Sequence, residues 1–154
     1  MTTPDYWTKA KKHLLLNDKI LGNIISHYHG EMLTQRGDAF YTLARSIIGQ
    51  QISVKAADSV WRKFEAQLGQ VTPQNVIKTQ ETLLRECGLS SSKVTYLQSL
   101  AKHFLENETH IKNWDRLSDE EILAELTSIK GIGRWTAEMF MIFHLARPDI
   151  LPLA

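Results

Sequence analysis

The strongest constraint on the fold is a pair of closely spaced glycines between two helical runs near the end of the chain. Apolar residues recur at spacings of three and four along residues 122–129, which places them on one buried helical face. Ser118 followed by Glu121 predicts the N-terminal cap of this helix. A second apolar run with helical spacing occupies residues 134–145. The sequence therefore predicts two helices joined by a tight turn over residues 118–145.

The predicted turn has features of an anion site. Gly131 and Gly133 flank Ile132, so the backbone can take a positive φ and a phosphate oxygen can approach main-chain N–H groups that no Cβ obstructs. The next helix opens at Arg134, and the positive end of its dipole points to the same place. A turn that grips phosphate is the functional interpretation. The alternative is a tight helix–helix connection with no ligand, because short glycine motifs occur by chance.

Similar patterns along the rest of the chain predict an all-α protein with no convincing alternating strand. We predict one helical domain over residues 1–154. The predicted helices are Tyr6–Leu16, Ile20–Tyr28, Ala39–Ile48, Val54–Leu68, Pro73–Thr79, Glu81–Cys87, Ser92–Glu106, Asp119–Thr127 and Arg134–Leu145.

Composition narrows the class of protein. Apolar residues make up 43% of the chain, which excludes a disordered chain, and the single cysteine, Cys87, excludes a disulfide framework. The sequence has no apolar run of membrane-spanning length and no secretory signal, so we expect no membrane partner. The expected location is the bacterial cytoplasm or nucleoid, or the nucleus in a eukaryote. The net charge of +1 does not by itself indicate a DNA-binding protein.

Three ordered blocks of sequence resemble one family. The order of apolar residues and glycines over Ile129–Gly133 resembles the helix-hairpin-helix motif of sequence-independent DNA binders. The segment Ser46–Ser53 resembles a DNA-intercalating turn, and Ala146–Pro152 resembles the loop that follows the hairpin in the helix-hairpin-helix (HhH-GPD) DNA glycosylases. From about Asp38 to Ala154 the chain is most similar to the 3-methyladenine DNA glycosylase II (AlkA-type) branch.

This resemblance implies a DNA glycosylase of base-excision repair. Its expected reaction is hydrolysis of the N-glycosidic bond of alkylated purines, of the 3-methyladenine and 7-methylguanine class, after base flipping. Its expected partner is double-stranded DNA with damaged bases, bound by a monomer. Trp135 stands where bifunctional members carry a lysine, and an indole cannot form a Schiff base, so we expect monofunctional chemistry with water as nucleophile. Trp135 is also expected to line the base pocket, where its ring would attract a cationic purine; the alternative is a core tryptophan.

The resemblance also assigns the contacts to DNA. Gln51 is the expected plug for the gap that a flipped nucleotide leaves, with Gln50 beside it; alternatively, both amides only cap adjoining helix ends. The other expected DNA-binding residues are Lys130, Gly131, Ile132, Gly133, Arg134 and Thr136. For Lys130 and Arg134 an ordinary solvated surface position is the alternative. A monovalent cation, sodium or potassium, is expected on the backbone carbonyls of Thr127, Ile129 and Ile132.

No cofactor is expected for catalysis, and no iron–sulfur cluster. By the family pattern, the catalytic aspartate falls one residue beyond Ala154, so the sequence as given is expected to be C-terminally truncated and nearly inactive. Asp149 is interpreted as a turn residue. Three alternatives remain open: a non-catalytic helix-hairpin-helix DNA-binding fragment, a glycosylase for an oxidised or deaminated base, and a helical protein–protein module.

Overall fold

The protein is described by a computed structural model that covers residues 3–28, 30, 32–34 and 38–153. Over these ranges it contains ten α-helices, one 3₁₀ turn at Trp114–Arg116 and no strand. The helices are α1 (Tyr6–Asn17), α2 (Lys19–His27), α3 (Ala39–Gly49), α4 (Val54–Leu68), α5 (Pro73–Lys78), α6 (Glu81–Glu86), α7 (Ser91–Glu106), α8 (Glu108–Ile111), α9 (Asp119–Ser128) and α10 (Arg134–Phe143). The all-α prediction is confirmed.

The predicted starts of α4, α5 and α9 are confirmed, and each has a side-chain cap. The Ser53 side chain accepts a hydrogen bond from the Ala56 N–H at the start of α4, and Thr72 caps α5 with proline at its first turn. At α9 both halves of the capping box are present: the Glu121 N–H donates to Ser118 Oγ at 3.2 Å, and the Ser118 N–H donates to Glu121 Oε2 at 2.8 Å. These local hydrogen bonds satisfy N–H groups that a helix leaves without internal partners.

Helix α7 lies at the centre of the molecule and packs against α3, α5 and α6. Edge-to-face ring contacts link α3, α7, the 3₁₀ turn and α10 in one aromatic row: Phe40, Phe104, Trp114 and Phe140. Trp114 and Trp61 are buried, whereas Trp7 is half-buried. The aromatic row holds the α9–α10 hairpin against α3 and α7.

Most observed helix ends lie within one residue of the predicted ones, and two parts of the helix prediction differ by more than that. The four-residue helix α8 was not predicted, because a single turn carries too little periodicity to detect. Helix α10 ends at Phe143, two residues before the predicted Leu145. The chain turns here because Ala146 takes a left-handed φ of 55° and the Arg147 N–H donates to the Met141 carbonyl at 2.9 Å.

The first two helices form a hairpin of their own. Gly22 lies inside α2, and a Cβ there would come within 3.2 Å of the Leu15 carbonyl oxygen. Glycine therefore permits the close approach of α2 to α1. Among the described residues, no side chain of α1 or α2 belongs to the buried apolar core. No helix in these ranges is both long and apolar enough to cross a bilayer.

Candidate nucleic-acid interface

The hairpin between α9 and α10 is built on one hydrogen-bonded turn. The Ile132 N–H donates to the Ile129 carbonyl at 3.0 Å, and Gly131, the third residue of the turn, has a φ of +91°. Positive φ at that place is the requirement of a type II turn, which glycine meets without strain. Both isoleucine side chains are buried, at 3% and 4% exposure. They anchor the turn in the core and leave its backbone at the surface.

The two hairpin glycines have different roles. A Cβ on Gly131 would lie 2.7 Å from Tyr96 Cβ and 2.5 Å from Tyr96 Cδ2, so the Tyr96 side chain of α7 occupies the space beside it. Gly133 has a φ of −86°, and a Cβ there would meet nothing within 4 Å. The expectation of positive φ is thus confirmed for Gly131 and wrong for Gly133, which is simply the N-cap of α10.

Helix α10 begins with unoccupied backbone donors. Its N-cap is glycine, with no side chain to bond the N–H groups of the first turn. Arg134 and Trp135 are exposed at this end, whereas the Thr136 side chain is buried. Of the predicted DNA contacts in this turn, Thr136 can therefore offer its main-chain N–H more readily than its hydroxyl. A helix N-terminus of this kind favours an anion.

The segment that follows α3 meets this hairpin directly. Gln50 Nε2 donates to the Gly131 carbonyl at 2.9 Å, across 81 positions of sequence. The Gln50 amide thus bonds the hairpin and not an adjoining helix end, which excludes the capping interpretation for Gln50. Gln51 is exposed and has a φ of 59°, a left-handed conformation that is uncommon for a side chain of this type. We refer to Gln50 and Gln51 as the QQ turn.

Lys93 of α7 hydrogen-bonds the backbone at the start of the QQ turn. Its ammonium donates to the Ile48 carbonyl at 2.6 Å and to the Gln50 carbonyl at 2.9 Å, and burial lowers the pKa of the Lys93 ammonium. Sequence reasoning missed Lys93. One signal was available: Lys93 lies in the first turn of α7, after the N-cap Ser90, where the helix dipole disfavours a cation.

One open groove of about 590 Å³ is lined by the QQ turn, the start of α7 and the α9–α10 hairpin. The predicted residues that line it are Gln50, Gln51, Thr127, Ile129, Lys130, Gly131, Ile132 and Gly133. The additional residues are Ser90, Ser92, Lys93 and Tyr96, all at the start of α7. The three residues whose carbonyls are expected to hold a monovalent cation are in this set, although the Ile129 carbonyl already accepts the turn hydrogen bond. The groove is the strongest candidate for the functional site.

Arg134 faces a second groove, of about 660 Å³, on the other side of the hairpin. Its Nε donates to Glu138 Oε1 at 2.8 Å, and the Glu138 side chain is only 4% exposed. Asp149 lines the same groove, in a bend of the chain, as its interpretation as a turn residue predicts. The Arg134 guanidinium is therefore held by a carboxylate and is not a purely solvated charge.

Trp135 is 56% exposed, so its alternative interpretation as a core tryptophan is wrong. It follows Arg134 in the first turn of α10, at the exposed end of the hairpin. It lines neither of the two grooves. The role of Trp135 in a base pocket therefore remains a prediction.

Two yeast proteins with similar sequences are named DNA-3-methyladenine glycosylases. The chain is 35% identical over 152 residues to DNA-3-methyladenine glycosylase 1 of Schizosaccharomyces pombe, a match that covers 94% of this chain and 67% of that protein. It is 37% identical over 123 residues to the DNA-3-methyladenine glycosylase of Saccharomyces cerevisiae, covering 73% of this chain and 42% of that protein. The matched part thus spans less than half of the second relative.

Solved structures show the same fold. A DNA-3-methyladenine glycosidase from Bacillus halodurans superposes with a TM-score of 0.81 at 28% identity, covering 98% of this chain and 70% of that one. The 3-methyladenine DNA glycosylase of Schizosaccharomyces pombe, in complex with abasic DNA, superposes with a TM-score of 0.75 at 32% identity, covering 94% of this chain and 73% of that one.

The family comparison covers the QQ turn, α7 and the hairpin together. Residues 44–153 match the model of the HhH-GPD superfamily of base excision DNA repair proteins. This range holds every residue that lines the groove between α7 and the hairpin. The chain belongs to the HhH-GPD superfamily of base excision DNA repair proteins.

Proposed function

We propose that this chain is the helix-hairpin-helix part of a monofunctional DNA glycosylase that removes alkylated purines, of the 3-methyladenine and 7-methylguanine class, from double-stranded DNA. The observation that carries the proposal is the hydrogen bond from Gln50 to the Gly131 carbonyl. It joins the turn expected to enter the duplex to the turn expected to grip its backbone. The names of the relatives in both yeasts support the substrate class.

Base flipping requires these two turns to work at a fixed separation. An enzyme can reach the glycosidic bond only after the nucleotide leaves the stack, and extrusion costs a few kcal/mol of unstacking and unpairing. The exposed Gln51 is suited to fill the gap, because its amide can both occupy space and hydrogen-bond the orphaned base. The N–H groups at the start of α10, together with Lys130, would hold a phosphate of the duplex backbone. A monovalent cation on the carbonyls of Thr127, Ile129 and Ile132 would add positive charge at that phosphate.

Trp135 supports both the substrate class and the reaction type. An N-alkylated purine carries delocalised positive charge, which an exposed indole face attracts by about 0.5–2 kcal/mol. The indole has no amine, so it cannot attack the sugar and form an imine. Water is then the nucleophile, and the strand stays intact after base loss. We propose that a single copy of the protein acts on damaged DNA in the bacterial cytoplasm or, in a eukaryote, in the nucleus.

The test is base release from alkylated duplex DNA by the protein encoded by the full reading frame that contains this sequence. We expect free 3-methyladenine and 7-methylguanine and an intact strand, and we expect no covalent adduct after borohydride reduction. Undamaged duplex and duplexes with an oxidised or a deaminated base serve as controls. Release of only an oxidised or only a deaminated base would show that the substrate is not an alkylated purine. A trapped imine would refute the monofunctional reaction. Tight duplex binding without release of any base would leave a DNA-binding protein without glycosylase activity.

A further inference from the structure

Lys93 lies where a lysine is costly to its own helix. It is in the first turn of α7, next to the positive end of the helix dipole, and it is half-buried. Burial also lowers the pKa of its ammonium, because the charged form loses water. A charged ammonium is therefore unfavourable at this end of α7. The groups that the ammonium contacts offset this cost.

Those groups are the last carbonyls of another helix. Lys93 Nζ lies 2.6 Å from the Ile48 carbonyl oxygen and 2.9 Å from that of Gln50, at the C-terminal end of α3. The last four carbonyls of a helix have no partner inside it, and a cation there is favourable. Lys93 therefore stabilises the end of α3 and the first residue of the QQ turn at once.

The contacts close into a ring. Lys93 bonds the Gln50 carbonyl, the Gln50 amide bonds the Gly131 carbonyl, and Gly131 lies against Tyr96, one helical turn after Lys93 in α7. One face of α7 thus touches both the QQ turn and the hairpin. Gln51, the next residue, is held in a left-handed conformation, and such conformations persist only where the surroundings enforce them.

We propose that Lys93 is a positioning residue that holds the QQ turn against the hairpin, so that Gln51 is preset to enter the duplex when a nucleotide is extruded. This inference deepens the proposed function and rests on it for the role of Gln51. Lys93 acts through the backbone of Gln50 and does not itself have to touch DNA. Its removal should therefore harm the recognition of gapped DNA more than the binding of intact DNA.

The test compares Lys93→Met, which keeps most of the stem and removes the ammonium, with Lys93→Arg, which keeps the charge. Lys102→Met is the matched control, because Lys102 lies on the exposed side of α7, with 69% of its side chain accessible, and pairs only with Glu106 among the described ion pairs. The probe is a duplex with a tetrahydrofuran abasic analogue and 2-aminopurine opposite it. Binding affinity and 2-aminopurine fluorescence are measured with the full-frame protein, alongside an intact duplex.

We expect wild-type protein and Lys102→Met to change the fluorescence on binding and to prefer the abasic duplex. Lys93→Met should lose the fluorescence change and at least ten-fold of the preference, while its affinity for intact duplex stays within about two-fold; Lys93→Arg should recover part of both. An equal loss on both duplexes would mean that Lys93 contacts phosphate directly, and this outcome would overturn the proposal. A wild-type signal from Lys93→Met would also overturn it.

A second variant tests the ring if Lys93→Met does not fold. Gln50→Leu removes the bond to Gly131 and leaves the carbonyl that Lys93 contacts. We expect the same selective loss on the abasic duplex, and an unchanged preference would refute the ring. The readout is independent of base release. If the wild-type protein released no base, the proposed function would fail, whereas the fluorescence result would still decide the role of Lys93.

Discussion

Tyr96 of α7 packs against Gly131 so closely that the hairpin turn has no room for a side chain at that residue. Gly131 also has a φ of +91°, a conformation that L residues rarely adopt. Its neighbour two residues later, Gly133, has neither constraint. The two glycines of one short motif thus offer a matched pair for mutation.

We expect Gly131→Ala to lower the free energy of unfolding by about 2 kcal/mol or more, because backbone strain and the clash with Tyr96 add together. Gly133→Ala should cost at most about 1 kcal/mol, the loss expected at an N-cap. Urea unfolding of both variants beside the wild type measures the difference. Equal losses would contradict the roles assigned to the two glycines.

Trp135→Ala should separate stability from activity. Because Trp135 is 56% exposed, the variant should unfold within about 0.5 kcal/mol of the wild type. Base release should fall by roughly 2- to 30-fold, which corresponds to the loss of about 0.5–2 kcal/mol of cation–π attraction. Trp61→Ala is the control: Trp61 is 2% exposed, so its removal should cost about 3–5 kcal/mol of stability. Unchanged base release in a well-folded Trp135→Ala would remove Trp135 from the pocket.

Lys130 is exposed on the hairpin turn. If it contacts a phosphate as expected, it contributes to the salt dependence of DNA affinity. Neutralising one phosphate contributes about −0.9 to the slope of log K against log salt concentration. Lys130→Gln should therefore make that slope shallower by about 1 and weaken binding alike on damaged and intact duplexes. The slope of Lys102→Gln should match that of the wild type. A wild-type slope from Lys130→Gln would identify Lys130 as an ordinary surface charge.

Glu121 gives a pH prediction with a defined sign. The hydrogen bond from the Ser118 N–H holds the pKa of Glu121 below its ordinary value of 4.5. The folded chain thus binds fewer protons than the unfolded chain in this range, so the carboxylate contributes stability above the ordinary pKa, and that contribution is lost as the pH falls through the lower folded pKa. Glu121→Gln keeps an acceptor for Ser118 and removes the charge.

Melting temperatures of wild type and Glu121→Gln, measured from pH 6 down to pH 3, test this link. Other carboxylates titrate in both proteins, so the difference between the two curves carries the information. As the pH falls below 4.5, the ordinary pKa of a glutamate carboxyl, we expect the melting temperature of the wild type to fall more steeply than that of the variant. Parallel curves would show that the capping hydrogen bond does not depend on the charge of Glu121.

The parts of the fold that were predicted from sequence depend on short-range signals. Ser118 and Glu121 are three residues apart, and Thr72 adjoins Pro73, so each helix start follows from a few consecutive residues. The positive φ of Gly131 was predicted for the same reason. The prediction for Gly133 failed because glycine permits a left-handed conformation without requiring one.

The contacts that assemble the groove are long-range, and for that reason they were missed. Lys93 meets Ile48 across 45 positions of sequence, and Tyr96 meets Gly131 from another helix. No spacing rule within one helix indicates such a pair. Trp135 and Gln51 were proposed as DNA-contacting residues through the family resemblance. Both side chains are exposed, as a contact with DNA requires, but exposure alone does not assign their roles.

The Gly22 contact that joins α1 to α2 has a consequence for how the molecule opens. These two helices hold each other but supply no side chain to the buried core among the residues described, and Leu16 and Ile20 are each 75% exposed. Their amide protons should exchange with solvent through a low-energy opening of this pair, well before those of α3, α7 and α10. The groove and the α9–α10 hairpin would then keep their structure while α1 and α2 open and close.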